Sequence, residues 1–127
     1  MLCCVTAGCG FRSGNKFLIP DGYTGWVRIH YREANSPALR KEDSHFLVTV
    51  DSWGSAHTSS QREPGYGNDE YFYVSTGGFQ TKLKLQGVED QADDIVHDFT
   101  YQSAPKEVTL FFVGPRGTVK TKPRPDL

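Results

Sequence analysis

The sequence predicts an all-β fold, a single β-sandwich of about six to seven antiparallel strands with at most one short helix. Short apolar or alternating segments recur along the chain, and turns containing glycine or proline separate them. The chain has 127 residues, which is the length of one domain. Its composition is 37% hydrophobic and 13% aromatic, which argues against disorder. An immunoglobulin-like or transthyretin-like sandwich fits this length and pattern.

Three strands are predicted in the first half of the chain. Order begins at residues 16–19, and Pro20-Asp21-Gly22 is typical of a tight turn, because proline fixes φ and glycine accepts positive φ. Residues 25–31 alternate with a period of two and give the clearest strand signal. Residues 33–44 are polar and predict a loop, whereas residues 45–50 are apolar and β-branched and predict a buried strand. The first face of the 25–31 strand carries Val27, Ile29 and Tyr31, and the second carries Trp26, Arg28 and His30.

The second half begins with a long irregular segment, residues 51–69, in which residues 56–60 predict a short strand. The aromatic run at 70–74 predicts another strand. Gly77-Gly78 favours a hairpin turn, and the alternation over 79–85 predicts the strand that follows it.

One segment has the spacing of a helix. Between residues 88 and 100, apolar side chains recur every three or four positions, which predicts one or two helical turns. Residues 107–113 are apolar on both faces and therefore predict a central strand. The apolar positions in the helical pattern are Val88, Ala92, Ile95, Val96 and Phe99.

The charge balance excludes one class of partner. The formal net charge is -1 and the isoelectric point is near 6.4, whereas nucleic-acid binding needs a concentrated cationic surface. The nearest approach to a basic patch is the proline-rich segment 116–127, which we interpret as a flexible tail. No segment approaches the ~20 apolar residues of a transmembrane helix.

All three cysteines lie in the first nine residues, at Cys3, Cys4 and Cys9. Thr6-Ala7-Gly8-Cys9 follows a short apolar run and resembles a lipobox, the site where a bacterial signal is cut before a lipid-bearing cysteine. A complete signal has a positive start and an apolar region of roughly 7–15 residues, but no Lys or Arg precedes Arg12. Residues 1–9 are therefore interpreted as a truncated signal remnant, residues 10–15 as a tether and residues 16–115 as the domain. The alternative is a cytoplasmic protein with an apolar N-terminus.

Several blocks resemble a family of small, uncharacterised bacterial domains whose members often follow a lipoprotein signal. The first is Phe17-Leu18-Ile19-Pro20-Asp21-Gly22-Tyr23-Thr24-Gly25-Trp26-Val27-Arg28-Ile29. The others are Thr58-Ser59-Ser60, Asp69-Glu70-Tyr71-Phe72-Tyr73 and Phe111-Phe112-Val113-Gly114. The resemblance implies a bacterial, lipid-anchored, mostly β domain, and it implies no activity.

Aromatic side chains are the best candidates for ligand binding. Trp26 lies on the polar face of its strand, and Trp53 and Tyr66 lie in the long loop. Aromatic rings on sandwich loops stack on sugars or peptides with little loss of entropy. The alternative is that these rings cover the end of the sandwich.

A weaker candidate is the acidic segment 89–98. If it is helical, Asp93 and Asp94 lie one turn from His97 and Asp98, and the four side chains form a possible divalent-metal site. Acidic residues near the start of a helix also stabilise its positive dipole end without any metal. No catalytic residue and no cofactor is assigned from the sequence.

The sequence therefore predicts a bacterial cell-envelope protein that is anchored through lipid on Cys9, on the periplasmic or extracellular face, and acts as a non-catalytic binding module. Its expected partners are the membrane and an envelope protein, peptide or glycan, with no nucleic acid. Two alternatives remain open. One is a small divalent-metal-dependent hydrolase using segment 89–98, and the other is a cytoplasmic interaction or immunity-type protein.

Overall fold

The computed structural model describes residues 14–62, 69–85 and 95–125. Their strands pack as two five-stranded sheets, followed by a short 3₁₀ helix. The strands are β1 (Gly14–Pro20), β2 (Gly25–His30), β3 (Arg40–Glu42), β4 (His45–Thr49), β5 (Ser55–His57), β6 (Glu70–Val74), β7 (Gln80–Lys82), β8 (Lys84–Leu85), β9 (Ile95–Gln102) and β10 (Val108–Gly114), and the 3₁₀ helix is Arg116–Thr121.

The first sheet, sheet I, has the strand order β3-β4-β1-β6-β7. Its central strand, β1, runs parallel to both neighbours, and Phe17 is opposite Val48 on β4 and Tyr71 on β6. The edge strands β3 and β7 are three residues long, fully exposed and antiparallel to their neighbours. Short polar edges of this kind discourage pairing with another chain.

The second sheet, sheet II, has the order β5-β2-β10-β9-β8. Its central strand, β10, is antiparallel to β2 and β9, whereas the edge strands β5 and β8 are parallel to their neighbours. The predicted central position of the 107–113 segment is thus confirmed. Six of the seven residues of β10 are buried, and burial on both faces explains its largely apolar sequence.

The core forms between the two sheets around an aromatic cluster. Phe17 stacks on Tyr71 with ring centroids 4.8 Å apart and planes 8° apart. Phe111 meets both rings edge-on, at 5.5 Å from Phe17 and 5.3 Å from Tyr71. Val27 and Ile29 on β2 are fully buried in the same core, as the alternation predicts.

The predicted all-β sandwich is confirmed, but the number and pairing of strands differ from the prediction. The described residues form ten strands, and four of the pairings are parallel. Parallel neighbours need long connections. The connections from β1 to β4, from β1 to β6 and from β2 to β5 include the loops predicted at 33–44 or 51–69, whereas residues 86–94 join β8 to β9. Strand β3 lies inside the first of these loops and was missed because its three residues are all exposed. The 79–85 strand is divided between the sheets at the buried residue Leu83.

The helix predicted over 88–100 is wrong from Ile95 onwards, where the chain forms β9; residues 88–94 lie outside the described residues. A β-bulge explains the misleading spacing. Between the pairs His97–Phe112 and Thr100–Leu110, two residues of β9, Asp98 and Phe99, lie opposite the single residue Phe111 of β10. Asp98 has φ of 57°. The extra residue turns Phe99 towards Phe111, on the same face as Val96. A bulged strand therefore imitates a helical interval of three. Within the described residues, no helix has the length and apolar character needed to span a membrane.

Glu107 lies immediately before β10, and its carboxylate contacts residues from three other segments of the chain. Its carboxylate accepts hydrogen bonds from the Arg62 backbone N–H at 2.6 Å and the Tyr101 hydroxyl at 2.9 Å, and it lies 3.5 Å from Arg32 Nε. Burial opposes ionisation of this carboxyl, but these hydrogen bonds and the Arg32 charge outweigh burial and lower its pKa. The ionised form is therefore part of the folded structure.

Replacing Phe111 with alanine should lower the free energy of unfolding by about 3–5 kcal/mol, because it opens a cavity at the contact between the sheets. Urea denaturation followed by fluorescence measures this loss. Phe79→Ala is the matched control, since that ring is 77% exposed; its effect should stay within about 0.5 kcal/mol. Equal losses in the two variants would contradict this account of the core.

Glu107 should make the fold sensitive to acid. A lowered folded-state pKa contributes stability that is complete above the unfolded value, about 4.3, and is lost as the pH falls through the folded value. Glu107→Gln should lower the free energy of unfolding by about 1 kcal/mol at neutral pH. In this variant the loss of stability below about pH 4.3 should be smaller than in the wild type. Unfolding measured across this range for the wild type, Glu107→Gln and the exposed control Glu42→Gln tests the assignment. An unchanged acid profile in Glu107→Gln would refute it.

Candidate ligand-binding cleft

Trp26 lies on the outer face of β2, beside Arg28 on the same face. Its ring meets Phe112 edge-on, with centroids 5.2 Å apart and planes at 82°. Its indole N–H donates a hydrogen bond to the carbonyl of Lys122 at 3.1 Å. The guanidinium of Arg124 lies 5.9 Å from the ring centroid. Contacts on several sides therefore fix the orientation of this indole.

The C-terminal segment reaches Trp26 because the 3₁₀ helix follows β10 directly. Thr121 closes the helix with a hydrogen bond from its hydroxyl to the carbonyl of Thr118 at 2.7 Å. Beyond the helix, Arg124 donates to the hydroxyl of Thr100 on β9 at 2.6 Å. The segment that we interpreted as a flexible tail thus contacts both β2 and β9 in the described structure.

Trp53 is held on a tight turn between β4 and β5. The carboxylate of Asp51 accepts hydrogen bonds from the backbone N–H groups of Trp53 at 2.9 Å and Ser55 at 3.0 Å. The N–H of Gly54 donates to the carbonyl of Asp51 at 3.0 Å. Aspartate favours this kind of turn because its side chain bonds the backbone that follows it. The turn is fixed, yet the Trp53 side chain is 82% exposed.

Gly54 brings the turn close to β2. Its φ is 83°, and a Cβ at this position would overlap the Tyr23 hydroxyl and the Trp26 carbonyl. The Tyr23 hydroxyl donates to that same carbonyl at 2.6 Å, and burial raises the pKa of Tyr23, which keeps the donor protonated. The N–H of Arg28 donates to the Gly54 carbonyl at 2.8 Å. These contacts fix the turn of Trp53 beside the strand of Trp26.

The two tryptophans line one open cleft of about 540 Å³. Among the described residues, its lining combines aromatic surface with two cationic side chains and includes no carboxylate. Indole faces pack against the C–H groups of sugar rings and stack on planar groups, while guanidinium and ammonium groups bond anionic or hydroxyl oxygens. The lining residues are Tyr23, Thr24, Gly25, Trp26, Arg28, Ser52, Trp53, Thr121, Lys122, Pro123 and Pro125.

The structure brings together two of the three aromatic residues singled out in the sequence, Trp26 and Trp53. The third, Tyr66, lies outside the described residues, and so does the lipidation candidate Cys9. Sequence reasoning missed Arg28 and Lys122 as cleft residues. The alternation of β2 carried a signal for Arg28, since it places that residue on the face of Trp26. No local sequence pattern predicts that Lys122 lies in the cleft.

The proposed metal group is only partly described. Asp93 and Asp94 lie outside the described residues. His97 is 3% exposed and lies on a strand, where its Nε2 is 3.2 Å from the Gly114 carbonyl and its ring packs 5.2 Å from Phe112. Asp98 has a carboxylate oxygen 3.3 Å from the Nδ1 of His97. The helical spacing that suggested the group is absent from Ile95 onwards, and the metal assignment remains a prediction.

Comparisons with known proteins support the fold and identify the family. A crystal structure described as "Putative Lipoprotein from Bacillus anthracis" has a TM-score of 0.64 and 20% identity, over 91% of this chain and 82% of that chain. At this identity the likeness concerns the fold alone. No match was found among the curated proteins. A model of a family of unknown function matches residues 12–117, which include every described strand and the turn of Trp53. The chain therefore belongs to this family, DUF6843.

Proposed function

We propose that this protein is a cell-envelope binding module that is anchored by lipid on Cys9 and binds an acidic glycan in the cleft between Trp26 and Trp53. The observation that carries the proposal is the exposed Trp53 ring, held on a rigid turn beside a second, fixed indole. A ring that is already positioned loses little entropy on binding. The pair thus provides a stacking surface before any ligand arrives.

The charges of the cleft favour an acidic ligand. The protein as a whole has a formal charge of -1, yet within the described part of the lining the two charged residues, Arg28 and Lys122, are both cationic. Arg28 is oriented by a 3.4 Å hydrogen bond from its Nη2 to the hydroxyl of Ser55. A glycan bearing carboxylate or phosphate groups would stack its rings on the indoles and place its anionic groups near these two side chains.

The short distance in sequence between Cys9 and β1 is compatible with a lipid anchor. Strand β1 begins at Gly14, and a chain reaches at most about 3.6 Å per residue, so a lipid on Cys9 would hold the sandwich near the membrane surface. One acyl chain binds a membrane only marginally, but two chains hold a protein stably, at ~0.8 kcal/mol per buried CH₂. The lipobox-like Thr6-Ala7-Gly8-Cys9 and the lipoprotein description of the similar structure support this reading.

Trp53→Ala should weaken glycan binding at least roughly tenfold, because truncation of an aromatic anchor removes its stacking surface. Calorimetric titration with soluble, carboxylate-bearing cell-wall fragments measures the affinity. Phe79→Ala is the matched control, because its ring is also exposed but lies outside the cleft lining. Arg28→Gln should weaken binding of acidic fragments and leave binding of neutral ones nearly unchanged. Fragments that bind Trp53→Ala as tightly as the wild type would overturn the site, and preferential binding of peptides would overturn the ligand class.

Cys9→Ser should release the protein from the membrane fraction of the native bacterium. Metabolic labelling with an alkyne-bearing fatty acid, followed by fractionation, measures both lipid attachment and location. Cys3→Ser and Cys4→Ser are matched controls in the same segment and should retain label and membrane location. Unchanged labelling and location in Cys9→Ser would contradict the anchor without affecting the cleft.

A further inference from the structure

Two histidines meet where β2 and β5 end. The strands run parallel, and His30 is the direct partner of His57 in their register. The ladder continues past the strands, with the Thr58 N–H donating to the His30 carbonyl at 2.9 Å and the Glu33 N–H donating to the Thr58 carbonyl at 2.9 Å. Backbone hydrogen bonds therefore hold the main chain of all three ligand candidates, His30, Glu33 and His57.

Their side chains converge on one point of the surface. The Nδ1 of His57 is 2.7 Å from a carboxylate oxygen of Glu33, and the two imidazole rings are stacked with centroids 4.6 Å apart and planes 6° apart. One ligand atom from each residue lies within 4.8 Å of the others. The His57 side chain is 47% exposed and that of Glu33 is 36% exposed, so an ion can reach the group from solvent.

We propose that His30, Glu33 and His57 form a binding site for a divalent transition metal such as Zn²⁺. Two imidazole nitrogens and one carboxylate oxygen are a ligand set that Zn²⁺ accepts in proteins, with the fourth position taken by water or a ligand. Borderline-soft ions prefer this set, whereas Ca²⁺ and Mg²⁺ prefer oxygen ligands alone. This proposal does not depend on lipid attachment or on the tryptophan cleft.

The surroundings of His30 oppose protonation of its ring. Burial, followed by the neighbouring His57, lowers the pKa of His30. The charged groups around it are Glu33, which favours the protonated ring, and Arg28 and Lys106, which oppose it. The direction of this pKa shift agrees with metal binding, which needs a ring nitrogen without a proton.

Metal binding requires one ring to turn. A metal lies in the plane of each imidazole that binds it, and parallel stacked rings do not share such a point. For bonds of about 2.0–2.1 Å, tetrahedral ligand atoms stand about 3.3 Å apart, which is closer than the 4.8 Å limit of the present group. His57 is the ring that would turn, because it is the more exposed of the two. Zn²⁺ would displace the hydrogen bond between His57 and Glu33, and the proton of that bond would be released to solvent.

Calorimetric titration of the full-length chain with ZnCl₂ tests the site. Cys3, Cys4 and Cys9 are replaced by serine in every sample to remove competing thiolates. We expect one Zn²⁺ per chain. His57→Ala, His30→Ala and Glu33→Gln should each weaken binding by more than the roughly 10–100-fold loss seen when a group that only orients a ligand is removed. His45→Ala is the matched control, since His45 lies 3.9 Å from Glu70 but belongs to no three-residue group among the described residues.

A second measurement separates loss of ligands from loss of folding. Thermal unfolding in EDTA should be similar for the wild type and His57→Ala, and added Zn²⁺ should raise the midpoint of the wild type alone. The NMR signals of the His30 and His57 rings should shift together on Zn²⁺ addition, and those of His45 should not. Absence of Zn²⁺ binding, or binding that persists in the His30→Ala/His57→Ala double variant, would overturn the proposal. Either result would leave the glycan and anchor experiments unaffected.

Discussion

The fold depends on a pair of neighbouring phenylalanines at the centre of β10. Phe111 points between the sheets and meets Phe17 and Tyr71, whereas Phe112 points to the opposite face and supports Trp26. Both side chains are fully buried. The same strand therefore closes the core on one side and supports the cleft on the other. The position of the outer indole is thus coupled through one backbone segment to the contact between the sheets.

Strand β2 extends this arrangement along its length. Its inner residues, Val27 and Ile29, are buried in the core, and its outer face presents Trp26, Arg28 and His30 in succession. Trp26 and His30 are four residues apart, which is roughly 13 Å along a strand. The cleft and the histidine pair therefore occupy opposite ends of one surface without sharing a side chain. A single alternating segment thus places Trp26 in the cleft and His30, one of the two stacked histidines, at its other end.

The sequence predicted those features that depend on local periodicity. Alternation over residues 25–31 identified both faces of β2, and apolar continuity identified β10 as central. Contacts that depend on which strands pair could not be predicted from the sequence. His30 and His57 are far apart in the chain and meet only because β2 and β5 run parallel in one register. The bulge at Asp98 changes the spacing of apolar residues in β9 from two to three, which is a helical interval. The contact between Lys122 and Trp26 forms only because the chain folds back onto β2 after β10.

The walls of the cleft have different origins along the chain. Trp26, Arg28 and the turn of Trp53 lie inside the segment matched by the family, but Thr121, Lys122, Pro123 and Pro125 lie beyond its end at residue 117. The latter residues are not buried and contribute nothing to the core between the sheets. Replacement of this short terminal segment would therefore change one wall of the cleft and leave the core between the sheets unchanged.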